Sequence, residues 1–299
     1  MTIGHILSKR SFFKTLEGGE SVPELPEVEA VKRGLNQLVL GKTLKDIQIY
    51  WPRIIATDLA LDQWVALIQG QRIEAMDRRG KYILFILSQD TLVSHLRMEG
   101  KYLFYPADQL PINKEKHTHV RFIFTDGSEL HYHDVRKFGR IQLLEGHDVS
   151  PYFQAKGLGP EPLSNEFQLA DFRRGLAGSS RSIKPLLLDQ SLVVGLGNIY
   201  VDEVLFLAQI HPLKPANQLT EDESQALFEA IGQILTQAVE AGGSTIRTYR
   251  NSLGEAGKFQ QDLKVYGQAG RPCPRCGTEL VKIRVQQRGT HYCPSCQHL

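Results

Sequence analysis

Residues 273–296 read CPRCGTELVKIRVQQRGTHYCPSC, with two Cys-x2-Cys pairs separated by sixteen residues. Zinc prefers four thiolates arranged as a tetrahedron, and two such knuckles joined by a β-hairpin supply them. The alternative is four reduced or disulfide-bonded cysteines without a metal, which the spacing disfavours. We therefore predict one structural Zn²⁺, held by Cys273, Cys276, Cys293 and Cys296.

The segment between the knuckles has the pattern of a short hairpin. Residues 282–285 and 290–292 are predicted to pair as strands, with Gln287-Arg288-Gly289 at the turn, so that Arg288 projects from the tip. The C-terminal segment 264–299, of fewer than forty residues, is too small for a core of its own and needs a metal to fold. Because a closed four-cysteine site has no open position for water, the predicted metal is structural and any chemistry must come from elsewhere.

The segment around this motif carries an excess of basic side chains. The formal net charge is only +2, but residues 264–299 carry six Lys or Arg side chains against Glu279 alone. A local basic face beside a metal motif favours nucleic-acid binding, although a solvated surface is the general alternative. The four cysteines all fall in the last 27 residues, a distribution that argues against a secreted disulfide scaffold and favours a reducing compartment.

The chain before the zinc motif is predicted to form two further domains. An extension at 1–22 lacks a sustained period, and a helical stripe follows Pro26. Short apolar runs then predict strands, with a hairpin that turns at Asp126-Gly127, and together they indicate a β-sandwich or flattened barrel over 23–150. Residues 151–263 are mostly helical, with predicted helices at 165–176, 199–208 and 221–241. No apolar run approaches the roughly 20 residues that a bilayer crossing needs, so we expect no membrane span.

Several short motifs, in this order, resemble the formamidopyrimidine-DNA glycosylase family. They are PELPEVE at 23–29, RGKY at 79–82, HLRM at 95–98, DVRKFG at 134–139, GPEP at 159–162, GLGNIY at 195–200 and VYG at 265–267. The resemblance covers 23–299 and implies an α+β multidomain fold. It consists of an N-terminal β-sandwich with flanking helices, a helical helix-two-turns-helix domain at 151–263 and a C-terminal β-hairpin zinc finger at 264–299.

The resemblance also implies a reaction. Such an enzyme removes oxidised purines from duplex DNA through a Schiff base on an N-terminal proline, here Pro23, and then cleaves the strand by β- and δ-elimination. By the same resemblance Glu24 is the acid/base carboxylate, Lys81 the proton donor in β-elimination, and Arg288 the finger arginine that grips phosphate and takes part in δ-elimination. Glu24-Leu25-Pro26, in place of Glu-Gly-Pro, favours this branch over the endonuclease VIII branch, which acts on oxidised pyrimidines and stays the alternative.

The nucleophile is the main departure from the family pattern. A free α-amino group titrates near pH ~8 and is partly unprotonated at neutral pH, whereas an internal proline nitrogen is an amide without a nucleophilic lone pair. Pro23 follows Val22 here. Either translation starts at codon 22 and the initiator methionine is removed, or a leader is cut away, or the full chain is an inactive protein that binds damaged DNA without cutting it.

The expected partner is damaged double-stranded DNA, bound by a monomer in the bacterial cytoplasm and associated with the nucleoid. The resemblance implies that Met98, Arg136 and Phe138 fill the gap left by a flipped nucleotide. It implies phosphate contacts from His117, Arg181, Lys184 and Asn198, the last at a helix start whose backbone N–H groups can bind a phosphate. Residues 254–258 match a loop that covers the extruded base, with a plain linker as the alternative.

Overall fold

The computed structural model of the chain describes residues 23–113, 115–244 and 257–299. Its helices and strands are, in chain order, α1 (Leu25–Val39), β1 (Leu44–Ile49), α2 (Leu61–Ile68), β2 (Ile73–Arg79), β3 (Tyr82–Leu87), β4 (Thr91–His95), β5 (Lys101–Tyr105), β6 (Thr118–Phe124), β7 (Glu129–His133), β8 (Arg140–Leu144), α3 (Ser150–Ala155), α4 (Leu169–Ala177), α5 (Ile183–Leu188), α6 (Asn198–Leu207), α7 (Glu221–Glu240), β9 (Val281–Val285) and β10 (Arg288–Tyr292). Among the helices in these ranges, none combines the length and apolar character that a membrane crossing requires.

The N-terminal part is a β-sandwich of two antiparallel four-stranded sheets. One sheet has the order β1-β6-β7-β5 and the other β2-β3-β4-β8. The rings of Phe85 and Phe122 stack between the sheets at 6.5 Å, and Tyr102 packs edge-on against Phe85 at 5.5 Å. The hairpin of β6 and β7 turns at Asp126-Gly127, where Gly127 adopts a φ of 84° that glycine tolerates at no steric cost. The two separate sheets confirm the predicted β-sandwich and not a flattened barrel.

Helix α1 joins the sandwich to the helical domain. Pro26 lies in its first turn, and its apolar stripe of Val28, Val31 and Leu35 is buried. The helix contacts β2 on one side and α7 on the other. Residues at its N-terminus therefore stand at the boundary between two domains.

The helical domain packs around α6 and α7. Helix α7 begins with a capping box, in which Thr220 Oγ1 accepts from Glu223 N at 3.2 Å and Glu223 Oε2 accepts from Thr220 N at 2.9 Å. The helix predicted from residue 165 begins only at Leu169. The prediction was wrong at this end because Ser164 offers local partners instead: its hydroxyl accepts from Glu166 N at 3.1 Å and its carbonyl from Phe167 N at 3.3 Å.

The zinc-finger hairpin differs from its prediction at the turn. Gln286 and Gln287 form a two-residue turn with positive φ values of 41° and 64°, and Arg288 opens β10 opposite Val285. The predicted turn at 287–289 was therefore wrong. Glutamine is an uncommon residue at positive φ, so nothing in the sequence marked the position. Arg288 is exposed at the end of a strand and not within the loop.

Candidate active site

A cavity of about 570 Å³ lies where the sandwich, α6 and the finger meet. It brings together six of the residues predicted from the sequence, and these are Glu24, Lys81, Met98, Phe138, Asn198 and Arg288. Pro23 directly precedes Glu24 and is buried. The chain segments that carry these side chains are far apart in sequence, so the fold assembles a single site from all three domains.

The Glu24 carboxylate lies against the N-terminus of α6. Its Oε1 accepts from Ile199 N at 2.8 Å, and its Oε2 accepts from Gly197 N at 2.6 Å and from Tyr200 N at 3.3 Å. A side chain at Gly197 would collide with this carboxyl group. The N–H groups of Gly197, Ile199 and Tyr200 at this helix start are thus occupied by Glu24, and the phosphate contact expected at Asn198 stays a prediction.

The environment of Glu24 and Lys81 shifts both titrations toward neutral pH. Burial raises the pKa of Glu24 to about 7, and the nearby Lys81 ammonium opposes this rise. Burial lowers the pKa of Lys81, whose Nζ donates to the Leu196 carbonyl at 2.7 Å. A carboxyl group that titrates near the working pH both donates and accepts protons readily.

Glu27 holds the start of α1 in place. Its Oε2 accepts from Glu24 N at 2.9 Å. Its Oε1 accepts from the Tyr200 hydroxyl at 2.6 Å and from Ser244 N at 2.7 Å. This buried carboxylate therefore ties the residue after Pro23 to α6 and to the segment that follows α7.

Two loops of the sandwich reach the cavity. Met98, partly buried, follows β4, and Phe138, 48% exposed, follows β7. The Arg136 guanidinium lies over the Phe138 ring, 4.9 Å from its centroid. The buried Asp134 carboxylate accepts from Arg136 N at 3.0 Å and from Gly139 N at 2.8 Å, which fixes the loop backbone on both sides of Phe138.

The predicted phosphate ligands occupy different settings. His117 is half-buried, with its ring 5.5 Å from that of His133, and Arg181 is exposed and paired with Asp189. Asn198 lines the cavity, and its Nδ2 donates to the Gly289 carbonyl at 2.9 Å. His117 and Arg181 do not line the cavity, and their phosphate contacts stay a prediction.

Lys184, for which the sequence predicted a phosphate contact, is buried and bonded inside the protein. Its side chain is 0% exposed. The ammonium donates to Asp202 Oδ1 at 2.7 Å, to Thr290 Oγ1 at 2.8 Å and to the Gly289 carbonyl at 3.2 Å. Since these acceptors satisfy it inside the protein, Lys184 links α5 and α6 to the strand that begins with Arg288.

The four cysteines of the finger fit a zinc ion. Their Sγ atoms all lie within 4.8 Å of one another. Two of the pairs are separated by 3.9 Å (Cys273 and Cys296) and by 3.5 Å (Cys276 and Cys293). Zn–S bonds of about 2.3 Å in a tetrahedron place sulfurs about 3.8 Å apart, so the residues present suit one structural Zn²⁺.

Two supporting residues were not singled out from the sequence. Gln190, at a φ of 68°, donates from Nε2 to the Leu196 carbonyl at 2.7 Å and accepts at Oε1 from Gly195 N at 2.8 Å. Glu161 accepts from Arg78 at 3.0 Å and from Gly80 N, next to Lys81. Glu161 lies in the GPEP motif, which signals its position, whereas Gln190 carries no such signal.

The predicted base-covering loop at 254–258 lies mostly outside the described residues. Of this range the structure describes Gly257 and Lys258, which follow the gap after Ser244.

Comparison with known proteins matches three family models along the chain. They are the formamidopyrimidine-DNA glycosylase N-terminal domain at 22–141, the formamidopyrimidine-DNA glycosylase H2TH domain at 158–250, and the zinc finger found in FPG and IleRS at 270–299. The Enterococcus faecalis formamidopyrimidine-DNA glycosylase is 56% identical, over 93% of this chain and 98% of its own length. A Streptococcus pneumoniae relative of the same name is 52% identical, over 92% and 99%.

Solved structures from Lactococcus lactis share the fold. A mutant FPG in complex with DNA containing Fapy-dG has a TM-score of 0.87 and 47% identity, covering 93% of this chain and all of that chain. A complex of Lactococcus lactis Fpg with DNA containing an abasic site has a TM-score of 0.86 and 47% identity, over 92% of this chain and all of that chain.

Proposed function

The chain belongs to the formamidopyrimidine-DNA glycosylase family, and on that premise we propose how its residues act on DNA. It is a glycosylase for oxidised purines in damaged double-stranded DNA and an AP lyase, and it carries one structural zinc. The observation that carries the proposed mechanism is the position of Glu24. Its buried carboxyl group follows Pro23 directly and faces Lys81 and Arg288 across one cavity.

The proposed reaction begins at Pro23. Its secondary amine attacks C1′ of the damaged nucleotide, the N-glycosidic bond breaks, and the base leaves with a proton. Glu24 protonates the ring oxygen as the sugar opens, which leaves an iminium between Pro23 and C1′. The iminium acidifies the hydrogen on C2′, the Glu24 carboxylate removes that proton, and β-elimination expels the 3′ phosphate. Lys81 supplies a proton there, and Arg288 binds phosphate for the δ-elimination that follows.

This mechanism requires Pro23 to be the first residue of the working enzyme. The family match begins at residue 22, and the Enterococcus relative aligns over 278 residues. We propose that residues 1–22 are absent from the active protein, through initiation at codon 22 or through removal of a leader. Mass spectrometry of the native protein is expected to find Pro23 at the N-terminus, and a native chain with residues 1–22 intact contradicts both routes.

The duplex is proposed to lie across the cavity with one nucleotide flipped into it. Met98, Arg136 and Phe138 fill the gap, since Met and Phe offer apolar surface and Arg offers hydrogen bonds to the orphaned base. Arg288, Asn198, His117 and Arg181 contact phosphates. The enzyme acts as a monomer with domains at 23–150, 151–263 and 264–299. Its bacterial relatives favour the cytoplasm, and its substrate favours association with the nucleoid.

The substrate class is tested by comparing two lesions. A protein that starts at Pro23 is incubated in excess with duplexes that carry either 8-oxoguanine or thymine glycol, and the single-turnover rate of strand cutting is measured. We expect faster cutting at 8-oxoguanine. A preference for thymine glycol contradicts the purine assignment and supports the endonuclease VIII alternative.

A further inference from the structure

A tryptophan outside the cavity contacts the loop that carries Arg136 and Phe138. Trp51 follows β1, is partly buried and packs on the sandwich core. The Lys137 ammonium lies over its ring, 4.0 Å from the centroid, and the Arg53 guanidinium carbon is 5.8 Å from it. A cation at such a distance is attracted by the negative face of the ring. The side chain between Arg136 and Phe138 is therefore held away from the cavity.

The backbone of Trp51 belongs to the same frame as the base of the loop. Tyr50 N and Trp51 N both donate to the His119 carbonyl, at 2.8 and 3.4 Å. The buried His119 ring bonds through Nε2 to the Asp134 carbonyl at 2.8 Å, and Asp134 N donates to the His117 carbonyl at 3.0 Å. These bonds join β1, β6 and the start of the loop, so Trp51 is a fixed support and not a loosely placed side chain.

The conformation of Lys137 explains why a support is useful. Lys137 has a φ of 60°, in the left-handed region that non-glycine residues occupy at an energetic cost. The Asp134 carboxylate fixes the backbone at Arg136 and Gly139, on either side. With Lys137 held on Trp51, the neighbouring Arg136 and Phe138 stack on each other, and Phe138 lines the cavity.

We propose that Trp51 is a positioning residue for base extrusion. Its ring holds Lys137, and this contact keeps Arg136 and Phe138 in the conformation that fills the gap in the duplex. The inference rests on the proposed function, because it assumes that these two side chains enter DNA. A positioning role predicts slower reaction on a duplex, where a base pair must be opened, and an unchanged reaction on a single-stranded abasic oligonucleotide, where no base pair is opened. General destabilisation would slow both reactions.

The test uses a protein that starts at Pro23 and two substrates. Trp51→Leu and Lys137→Met are each expected to slow single-turnover excision from an 8-oxoguanine duplex by about fivefold, which is the scale of one cation–π contact. The double variant is expected to be no slower than either single variant, because both remove the same contact. Trp51→Tyr keeps an aromatic face and is expected to restore excision.

Two controls separate positioning from instability. Borohydride trapping on a single-stranded abasic oligonucleotide is expected to stay within about twofold of the parent protein for each variant. Lys45→Met, at an exposed lysine of β1, is expected to leave excision unchanged. Tryptophan emission is expected to shift in Lys137→Met, which removes the cation over Trp51, and not in Lys45→Met. The shift reports on Trp51, because the other tryptophan, Trp64, is 1% exposed and lies in the core.

The outcomes are distinguishable from failure of the proposed function. If the parent protein neither excises nor traps, the function is wrong and the role of Trp51 falls with it. If the parent is active and Trp51→Leu excises equally fast, the positioning role is overturned. An equal loss on both substrates, or additive losses in the double variant, also overturns it.

Discussion

Three buried glutamates connect distant parts of this protein, and each is satisfied by main-chain N–H groups. Glu24 binds the start of α6, Glu27 binds Ser244 beyond α7, and Glu203 accepts from the N–H groups of residues 264–266 at 2.8 to 2.9 Å. A buried carboxylate without such partners costs several kcal/mol. The sequence identified Glu24 through its motif. The sequence did not reveal the partners of the three glutamates, because these lie far away along the chain; Ser244 is 217 residues from Glu27.

The raised pKa of Glu24 predicts a pH-dependent stability. The folded protein keeps this proton up to about pH 7, whereas the unfolded chain releases it near 4.5. The folded state therefore binds more protons between these values, and its free energy of unfolding falls as pH rises through the window. Glu24→Gln removes this titration. The free energy of unfolding is measured in urea at about pH 5 and about pH 8. Between these two pH values the parent is expected to lose up to about 3 kcal/mol more of it than the variant. A difference between the two proteins that does not change with pH contradicts the assignment.

Two glycines with different surroundings follow α7. Both glycines have positive φ, 73° at Gly242 and 81° at Gly243. A Cβ at Gly243 would lie 2.7 Å from Glu27 Oε1, whereas at Gly242 the nearest atom is 3.9 Å away. Gly243→Ala is therefore expected to lower the free energy of unfolding by about 1 to 2 kcal/mol more than Gly242→Ala, which carries only the backbone strain. Equal losses in urea unfolding would show that the contact with Glu27 is unimportant.

At the scale of elements, α6 is the connection among the domains. Its N-terminus binds the Glu24 carboxyl group. Asp202 accepts from His291 N of the finger hairpin, and Glu203 accepts from Val265 N, in the segment that leads into the first zinc knuckle. Its C-terminal carbonyls at Phe206 and Leu207 accept from Arg275 of the first zinc knuckle, both at 3.4 Å. A helix of ten residues thus orients the active-site carboxyl and the arginine of the hairpin together.

The pair of Lys184 and Asp202 is buried on both sides. Lys184→Met removes the ammonium that pairs with the buried Asp202 carboxylate, which keeps the bond from His291 N at 2.8 Å but loses its lysine partner, so we expect a loss of about 3 to 5 kcal/mol in the free energy of unfolding. Adding Asp202→Asn is expected to recover part of it, because the charge is gone. Arg174→Met is the matched control, since the pair it forms with Asp171 is 77% and 62% exposed and is worth at most about 1 kcal/mol. Similar losses for the two single variants would refute a special role for the buried pair.

The sequence predicted most elements and failed where tertiary contacts decide. Alternating apolar runs marked strands such as β3, and the Asp126-Gly127 pair marked a turn whose chemistry is local. The Gln286-Gln287 turn has no such chemistry. Lys184 looked like a surface lysine because its acceptors come from α6 and β10, which no local pattern connects to it. Glu24 was likewise predicted as a catalytic carboxyl without its place on the α6 N-terminus.

The cavity needs all three domains in register. The sandwich supplies Lys81 and Phe138, the helical domain supplies Asn198, and the finger supplies Arg288. The finger has only a small core, in which Cys273, Cys293 and Cys296 pack with Phe206, Val265 and Leu280. Its place therefore depends on the metal.

Removal of zinc tests this dependence. A chelator is expected to unfold 264–299 while leaving the sandwich and the α6–α7 pair folded, because these have cores of their own. The Kd for an abasic duplex is expected to rise about tenfold or more through loss of the Arg288 contact. Limited proteolysis and DNA-binding titrations measure the two effects. Unchanged binding after complete removal of the metal contradicts the role given to the hairpin.

The most direct test of the account is borohydride trapping on a lesion-bearing duplex, run side by side on the full chain and on a protein that starts at Pro23. The Pro23 protein is expected to become covalently joined to the DNA. The full chain, whose residue 23 nitrogen is an amide, is expected to bind without cross-linking. A Pro23 protein that stays unlinked and leaves the strand uncut, or a full chain trapped equally well with residues 1–22 intact, contradicts it.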